Sequence, residues 1–134
     1  MITPIPSYYV TSIWPNAKHH IQAAIEYVDS GYTPDDILKK LIGSDMQLWI
    51  IGDYQAAAVT MLNIYPQHKS CLVVAVGGKG MDEWFDDLME TIEGWASKMG
   101  CKYVEEYGRK GWRKVGATRG YEETYVVMRK QVNE

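Results

Sequence analysis

The sequence predicts a single α+β domain with a mixed, mainly antiparallel sheet, a parallel central strand pair and flanking helices. Three observations carry the prediction. Apolar and β-branched runs in "MQLWIIGDYQAAAVTMLNIYP" and from Ser70 to Val76 are separated by turn residues, which reads as an antiparallel meander. A glycine corner and a long amphipathic pattern then lead into another strand-like run, and the right-handed crossover of such a unit makes its two strands parallel neighbours. The 134 residues are 46% hydrophobic and 23% charged, the balance of one folded domain spanning residues 1–134.

Each element has a local reason. After Pro4 and Pro6, Ile21, Ala24, Ile25 and Val28 keep helical spacing, so a helix is predicted from Pro15 to about Val28. Pro15 suits its first turn, where no backbone donor is lost. In "YTPDDILKKLIG", Thr33 is the N-cap, Pro34 the first helical residue, two acids fill the first turn and Gly43 is the stop. Gly52 and Asp53 supply the turn between the next two strands, and "PQHK" leads into the third. A helix from about Asp82 to Met99 follows, with Trp84, Leu88, Ile92, Trp95 and Met99 on one face. "CKYVEEY" is the next strand, "GWRKVGATRG" a short helix or turn, and "YEETYVVMRK" closes the sheet.

Composition excludes several function classes. A net charge of −3 argues against nucleic-acid binding, which needs a concentrated basic surface; the one basic cluster, Arg109 to Lys114, is small. Cys71 and Cys101 have neither disulfide-framework nor metal-site spacing and are expected as buried thiols, so no metal is expected. No apolar run is long enough for a membrane span, and "MITPIPSYYV" lacks a secretory pattern, so a cytoplasmic protein is expected. Ten Tyr and five Trp against one Phe give aromatic area whose polar ends want partners, as at a cleft or interface.

The motif "GGKGMD", Gly77 to Asp82, sits between strand and helix. With "METIEGWASKMGCKYVEEY" and "ATRGYEETYVVMRK", in that order, it resembles the GNAT superfamily of acyl-CoA-dependent N-acyltransferases over residues 15–130. The wording is most similar to compact GNAT-like proteins of tailed bacteriophages. The resemblance implies that backbone amides around Val76, Gly77, Gly78, Lys79, Gly80 and Met81 hold the pyrophosphate of acetyl-CoA, where free amides and the helix dipole converge on an anion. Two positions depart from the family pattern. The leading Arg/Gln falls on Gly77 and the closing Gly/Ala on Asp82, so the corner is either a phosphate cradle or a turn capped by Asp82.

The resemblance further implies a general acid tyrosine at a position that here is Gly116, leaving Tyr107, Tyr121 and Tyr125 as substitutes, Tyr121 foremost. Glu105 and Glu106 are candidate bases; their side chains face opposite ways along the strand, and burial would raise the pKa of whichever faces the cleft. The bland alternative is a surface glutamate paired with Lys102 or Arg109. His19-His20, on the first helix beside its apolar face, is expected in a surface or boundary role, and Trp112, among basic residues, is free either to stack at a cleft mouth or to lie in a solvated turn. Two functions follow: acetyl transfer to the primary amine of an unknown acceptor, or a non-catalytic module binding a host or virion protein. The apolar strand near Tyr121 to Met128 also offers an edge for a second copy, a possible homo-oligomer.

Overall fold

A computed structural model describes residues 1–27, 29–107 and 112–133. The elements are β1 (Ile2–Ile5), α1 (Val10–Ile25), α2 (Pro34–Ile42), β2 (Gln47–Ile51), β3 (Ala56–Ile64), β4 (Lys69–Gly78), α3 (Met81–Lys98), β5 (Tyr103–Glu106) and α4 (Trp112–Ala117). The five strands lie in the order β1-β2-β3-β4-β5. The first three pairings are antiparallel and β4–β5 is parallel, the arrangement the sequence predicts.

Two hydrophobic layers clamp the sheet. On one face, Val10, Ile13, Trp14, Ala17 and Ile21 of α1 and Ile37 and Leu41 of α2 pack on Leu48, Ile50, Ala57 and Val59. On the other, Trp84, Phe85, Leu88, Met89 and Ile92 of α3 cover Trp49, Ile51, Ala56, Ala58, Cys71 and Val73. The predicted face of α3 is buried over most of its length: Trp84, Leu88 and Ile92 are in the core and Trp95 meets Trp49 edge-on at 5.3 Å, whereas Met99, placed on that face by its spacing, is the C-cap and is exposed. Removing such a side chain, as in Leu88→Ala, costs about 2–5 kcal/mol.

α2 begins and ends where its signals lie. The Thr33 hydroxyl accepts from the Asp36 amide, the Asp36 carboxylate accepts from the Thr33 amide, and Gly43 is the C-cap. α1 differs from expectation, for it starts at Val10, so Pro15 is inside the helix rather than in its first turn. Proline there removes the bond to the carbonyl four residues back, and the buried stripe from Val10 to Ile21 outweighs that loss. The predicted end of this helix at Val28 falls outside the described residues; the helix itself ends at Ile25.

Two strands also depart from expectation. β1 appears at the chain start, where Ile2–Ile5 pairs with Ile51–Leu48. "YEETYVVMRK" does not close the sheet: residues 121–133 have strand-forming side chains but no ladder, and Val126, Val127 and Met128 are exposed. Strand propensity needs a partner edge to be expressed, and this segment leaves the sheet instead.

Candidate active site

The site begins where β4 ends. Its pairing with β5 stops at Val73↔Glu106, whereas its pairing with β3 continues to Gly78↔Ala56. Among the described residues, Val74 to Gly78 therefore leave one edge of β4 open beside the end of β5. At the parting lies a β-bulge, since Val59 pairs with Ala75 and Thr60 with Val73 while Val74 has no opposite number. A bulge re-aims the chain and leaves backbone groups unpaired at that point. Sequence reasoning missed it, because it is defined by the partner's register.

Past the bulge, the backbone turns at the glycine corner into α3. Gly78 and Gly80 have φ of 143° and 74°, where a side chain is strained. A Cβ on Gly78 would also overlap Ala56, so β3 requires glycine there. The Trp84 indole donates to the Lys79 carbonyl at 2.7 Å and fixes the turn from below. Gly80, not Asp82, is the N-cap of α3, and no side chain caps it. Asp82 stands exposed at the second helical position, which corrects the reading of it as the cap.

The corner's donors divide. The Lys79 amide is given to Gln55 O at 3.3 Å and the Glu83 amide to Gly80 O at 2.9 Å. Those of Met81 and Asp82, at the first two helical positions, have no acceptor within the helix. An anion would meet these two amides and the positive end of an 18-residue helix, together with the opposing carboxylates of Asp82 and Glu83. Beside the corner, His19, His20, Tyr54, Gln55, Lys79 and Glu83 line an open concavity of about 510 Å³. His20, within α1 and half-buried, lies at the border of the helix's apolar face as predicted, with Nε2 2.8 Å from the Tyr54 carbonyl.

The candidate acid and base lie at the other end of the open edge, beside Val73, four residue steps along β4 from Gly77, about 13 Å of strand. Glu106 and Glu105 face opposite sides of β5, as alternation requires. Glu106 shares the α3 face with Val104, and burial raises its pKa above the usual glutamate range. A Cβ on Gly116 would lie 3.5 Å from its Oε1 and 3.1 Å from Cβ of Tyr121. The place at which the resemblance expects a tyrosine is thus a gap that Tyr121 and Glu106 close from two sides.

Tyr121 is held there by its amide, which donates to Gly116 O at 2.9 Å, and by its hydroxyl, which donates to Glu93 Oε2 at 2.7 Å. Burial first, then the Glu93 bond and the charges of Glu93 and Glu106, push its pKa far upward. Tyr107 is exposed and its hydroxyl lies 3.4 Å from that of Tyr125; their hydrogen bond foremost, with burial and neighbouring charge, pushes it up to about 12. Trp112 is half-buried and packs 5.3 Å from Phe85 against the α3 layer, which corrects the reading of it as a residue of a solvated turn. Arg109 and Lys110 of the basic cluster lie outside the described residues. Among the described residues no three His, Cys, Asp or Glu side chains gather as a metal site, and no helix is long and apolar enough to cross a membrane.

No protein-family model and no curated protein sequence matches the chain. Solved structures do match it in three dimensions. A GCN5-related N-acetyltransferase from Ralstonia eutropha superposes with a TM-score of 0.72 over 99% of each chain at 11% identity. A predicted acetyltransferase with acetyl-CoA from Clostridium acetobutylicum gives 0.68 over 98% of this chain and 96% of that one, at 11% identity. An aminoglycoside acetyltransferase from a soil metagenomic sample, in complex with sisomicin, gives 0.68 over 99% and 96% at 10% identity. With the parted β4–β5 pair, the glycine corner and the layers of helices already described, these likenesses establish that the chain has the GNAT fold.

Proposed function

We propose that this chain is an N-acetyltransferase that moves the acetyl group of acetyl-CoA directly to a primary amine. The observation that carries the reading is the continuous open edge of β4, with the glycine corner at one end and desolvated Glu106 at the other. Acetyl-CoA would supply the acyl group as an activated thioester. The amides of Met81 and Asp82 would hold its pyrophosphate, at a corner whose shape depends on glycine because Gly77 packs on His20, Gly78 on Ala56, and Gly78 and Gly80 have positive φ, with Lys79 offering a cation at the rim. Unpaired backbone at the Val74 bulge offers hydrogen bonds to the amide-bearing arm between.

An ammonium must lose a proton before it attacks a carbonyl. Glu106, with its pKa raised above the usual glutamate range by burial, is the group we assign to that task, either in contact or through one water. Glu105, on the opposite face, is the second choice. Tyr121 keeps its proton throughout the neutral range, so we assign it as a hydrogen-bond donor to the departing sulfur rather than as a full proton source, a role in which its one O–H turns from Glu93 to the sulfur. A phenol whose pKa is pushed so high yields its proton poorly to a thiolate.

Calorimetric titration with acetyl-CoA and with CoA tests the first half of this reading, and thiol release in the presence of an amine panel tests the second. Saturable one-to-one binding near micromolar, about −8 kcal/mol, supports it. No binding at millimolar ligand would favour the other reading, a non-catalytic module that docks on a protein. That reading is supported by Asp82 and Glu83 at the corner and by the exposed Ile64, Tyr65 and Tyr103 at the far end of the sheet.

A further inference from the structure

The segment after α4 is held at separate points along its length. It starts at Tyr121, packed on the α3 layer. The Tyr125 hydroxyl then lies 3.4 Å from that of Tyr107, the residue after β5, and Arg129 Nη1 donates to the Asp29 carbonyl at 2.8 Å. Asp29 follows α1 shortly beyond Ala24, and Ala24 borders the space in front of Gly77. The Tyr125 and Arg129 anchors therefore flank the open edge of β4, one at its Val73 end beside β5 and the other at its Gly77 end beside α1. Residues 121–133 hold neither turn nor bend, so the chain runs extended between them.

Side chains of an extended chain alternate, which places Tyr125, Val127 and Arg129 on one face and Val126 and Met128 on the other. Because Tyr125 and Arg129 make the anchoring bonds, theirs is the inner face. Val127 sits between them and is nevertheless 69% exposed, while Val126 and Met128 on the outer face are 67% and 93% exposed. Neither face rests on the domain. The inner face looks across the cleft with an apolar side chain left in water.

We propose that Tyr125–Arg129 is a strap that closes on a bound acyl donor, with Val127 the residue that packs on the donor's arm; the proposal rests on the acetyl-CoA reading above. The arm of an acyl-CoA is a slender chain of methylene and amide groups between pyrophosphate and thioester. Its amides suit the open edge of β4, and its methylenes suit Val127 on the opposite side. Closing takes the apolar surface of Val127 out of water, which supplies the driving force. Each anchor is one exposed hydrogen bond that water replaces at little cost, so the strap can settle inward without unfolding a helix or strand.

The test is calorimetric titration of the full chain, Val127→Ala and Val126→Ala with CoA. Val127→Ala should weaken the Kd about tenfold through the lost apolar contact, and Val126→Ala, on the outer face, should leave it unchanged. Both variants should keep the wild-type melting temperature, since both side chains are exposed. Amides of Val126 to Met128 should exchange freely without CoA and gain protection at saturation. A Kd unchanged by Val127→Ala, equal losses in the two variants, or protection already present without CoA would each overturn the strap while leaving the acetyl-CoA reading in place. Absence of CoA binding by the wild-type chain would instead overturn that reading, and the strap with it.

Discussion

The backbone carbonyl of His20 fills the space in front of Gly77, and a Cβ on Gly77 would overlap it. α1 thus lies directly on the end of β4, and this close approach explains the missing Arg/Gln at the corner. Gly77→Ala should lower the melting temperature, at a cost above the ~1–3 kcal/mol of ordinary overpacking because the obstacle is backbone. Gly77→Arg should be worse still and gain no affinity for CoA. A stable Gly77→Arg that binds CoA more tightly would show that α1 can move aside.

Glu106 should govern both activity and the pH profile of stability. Its pKa is raised in the folded state by burial. The folded chain therefore binds more protons than the unfolded chain between the two pKa values. The stability it contributes is fully present below the unfolded value and lost as pH rises through the folded one. Glu106→Gln should flatten that decline in a melting series, and should reduce acetyl transfer about 10²–10⁴-fold with little change in CoA affinity.

Asp82 sits at the second helical position without capping the helix, so its carboxylate opposes an incoming pyrophosphate without a compensating structural role at the N-cap. Asp82→Gly should leave the Kd for acetyl-CoA unchanged or tighten it. A large loss of affinity in calorimetry would place the anion elsewhere.

The two thiols should separate by reactivity. Burial, with a lesser contribution from Cys101, pushes Cys71 up to about 12, and Cys101 is raised less, by burial offset by Lys69. Because the thiolate is the nucleophile, alkylation of the native chain at neutral pH should modify Cys101 slowly and leave Cys71 untouched until denaturant is added. Equal rates for both in the native state would contradict the packing of Cys71 under α3.

What the sequence made legible follows from how local each signal is. The capping of α2 is contained in Thr33 to Gly43, and the stripe on α3 in one helix, so both could be read directly. β1 could not, because "ITPI" becomes a strand only through its pairing with Ile51 to Leu48. Pro15 signals a helix start by itself, yet the helix is set by residues before it that bury against the sheet. At the site, Glu106 and Tyr121 could be nominated from motif order, but the gap at Gly116 that joins them is a tertiary fact. The Val74 bulge and the seat of α1 on Gly77 were likewise invisible, being contacts between segments far apart in the chain.

The register of the sheet also orders its assembly. β2, β3 and β4 are joined by short turns and can zip as hairpins, at small loop-closure cost. β5 reaches β4 only after the whole of α3 has formed and folded back, a far less local event. The open edge between the glycine corner and Glu106 is therefore created by a late strand, as β1 also is, since β1 pairs with β2 across still more chain, and it belongs to a less cooperative margin of the domain. The same margin should be among the first to open in native-state exchange, so that access to the cleft is governed by local unfolding more than by any motion of the two core layers.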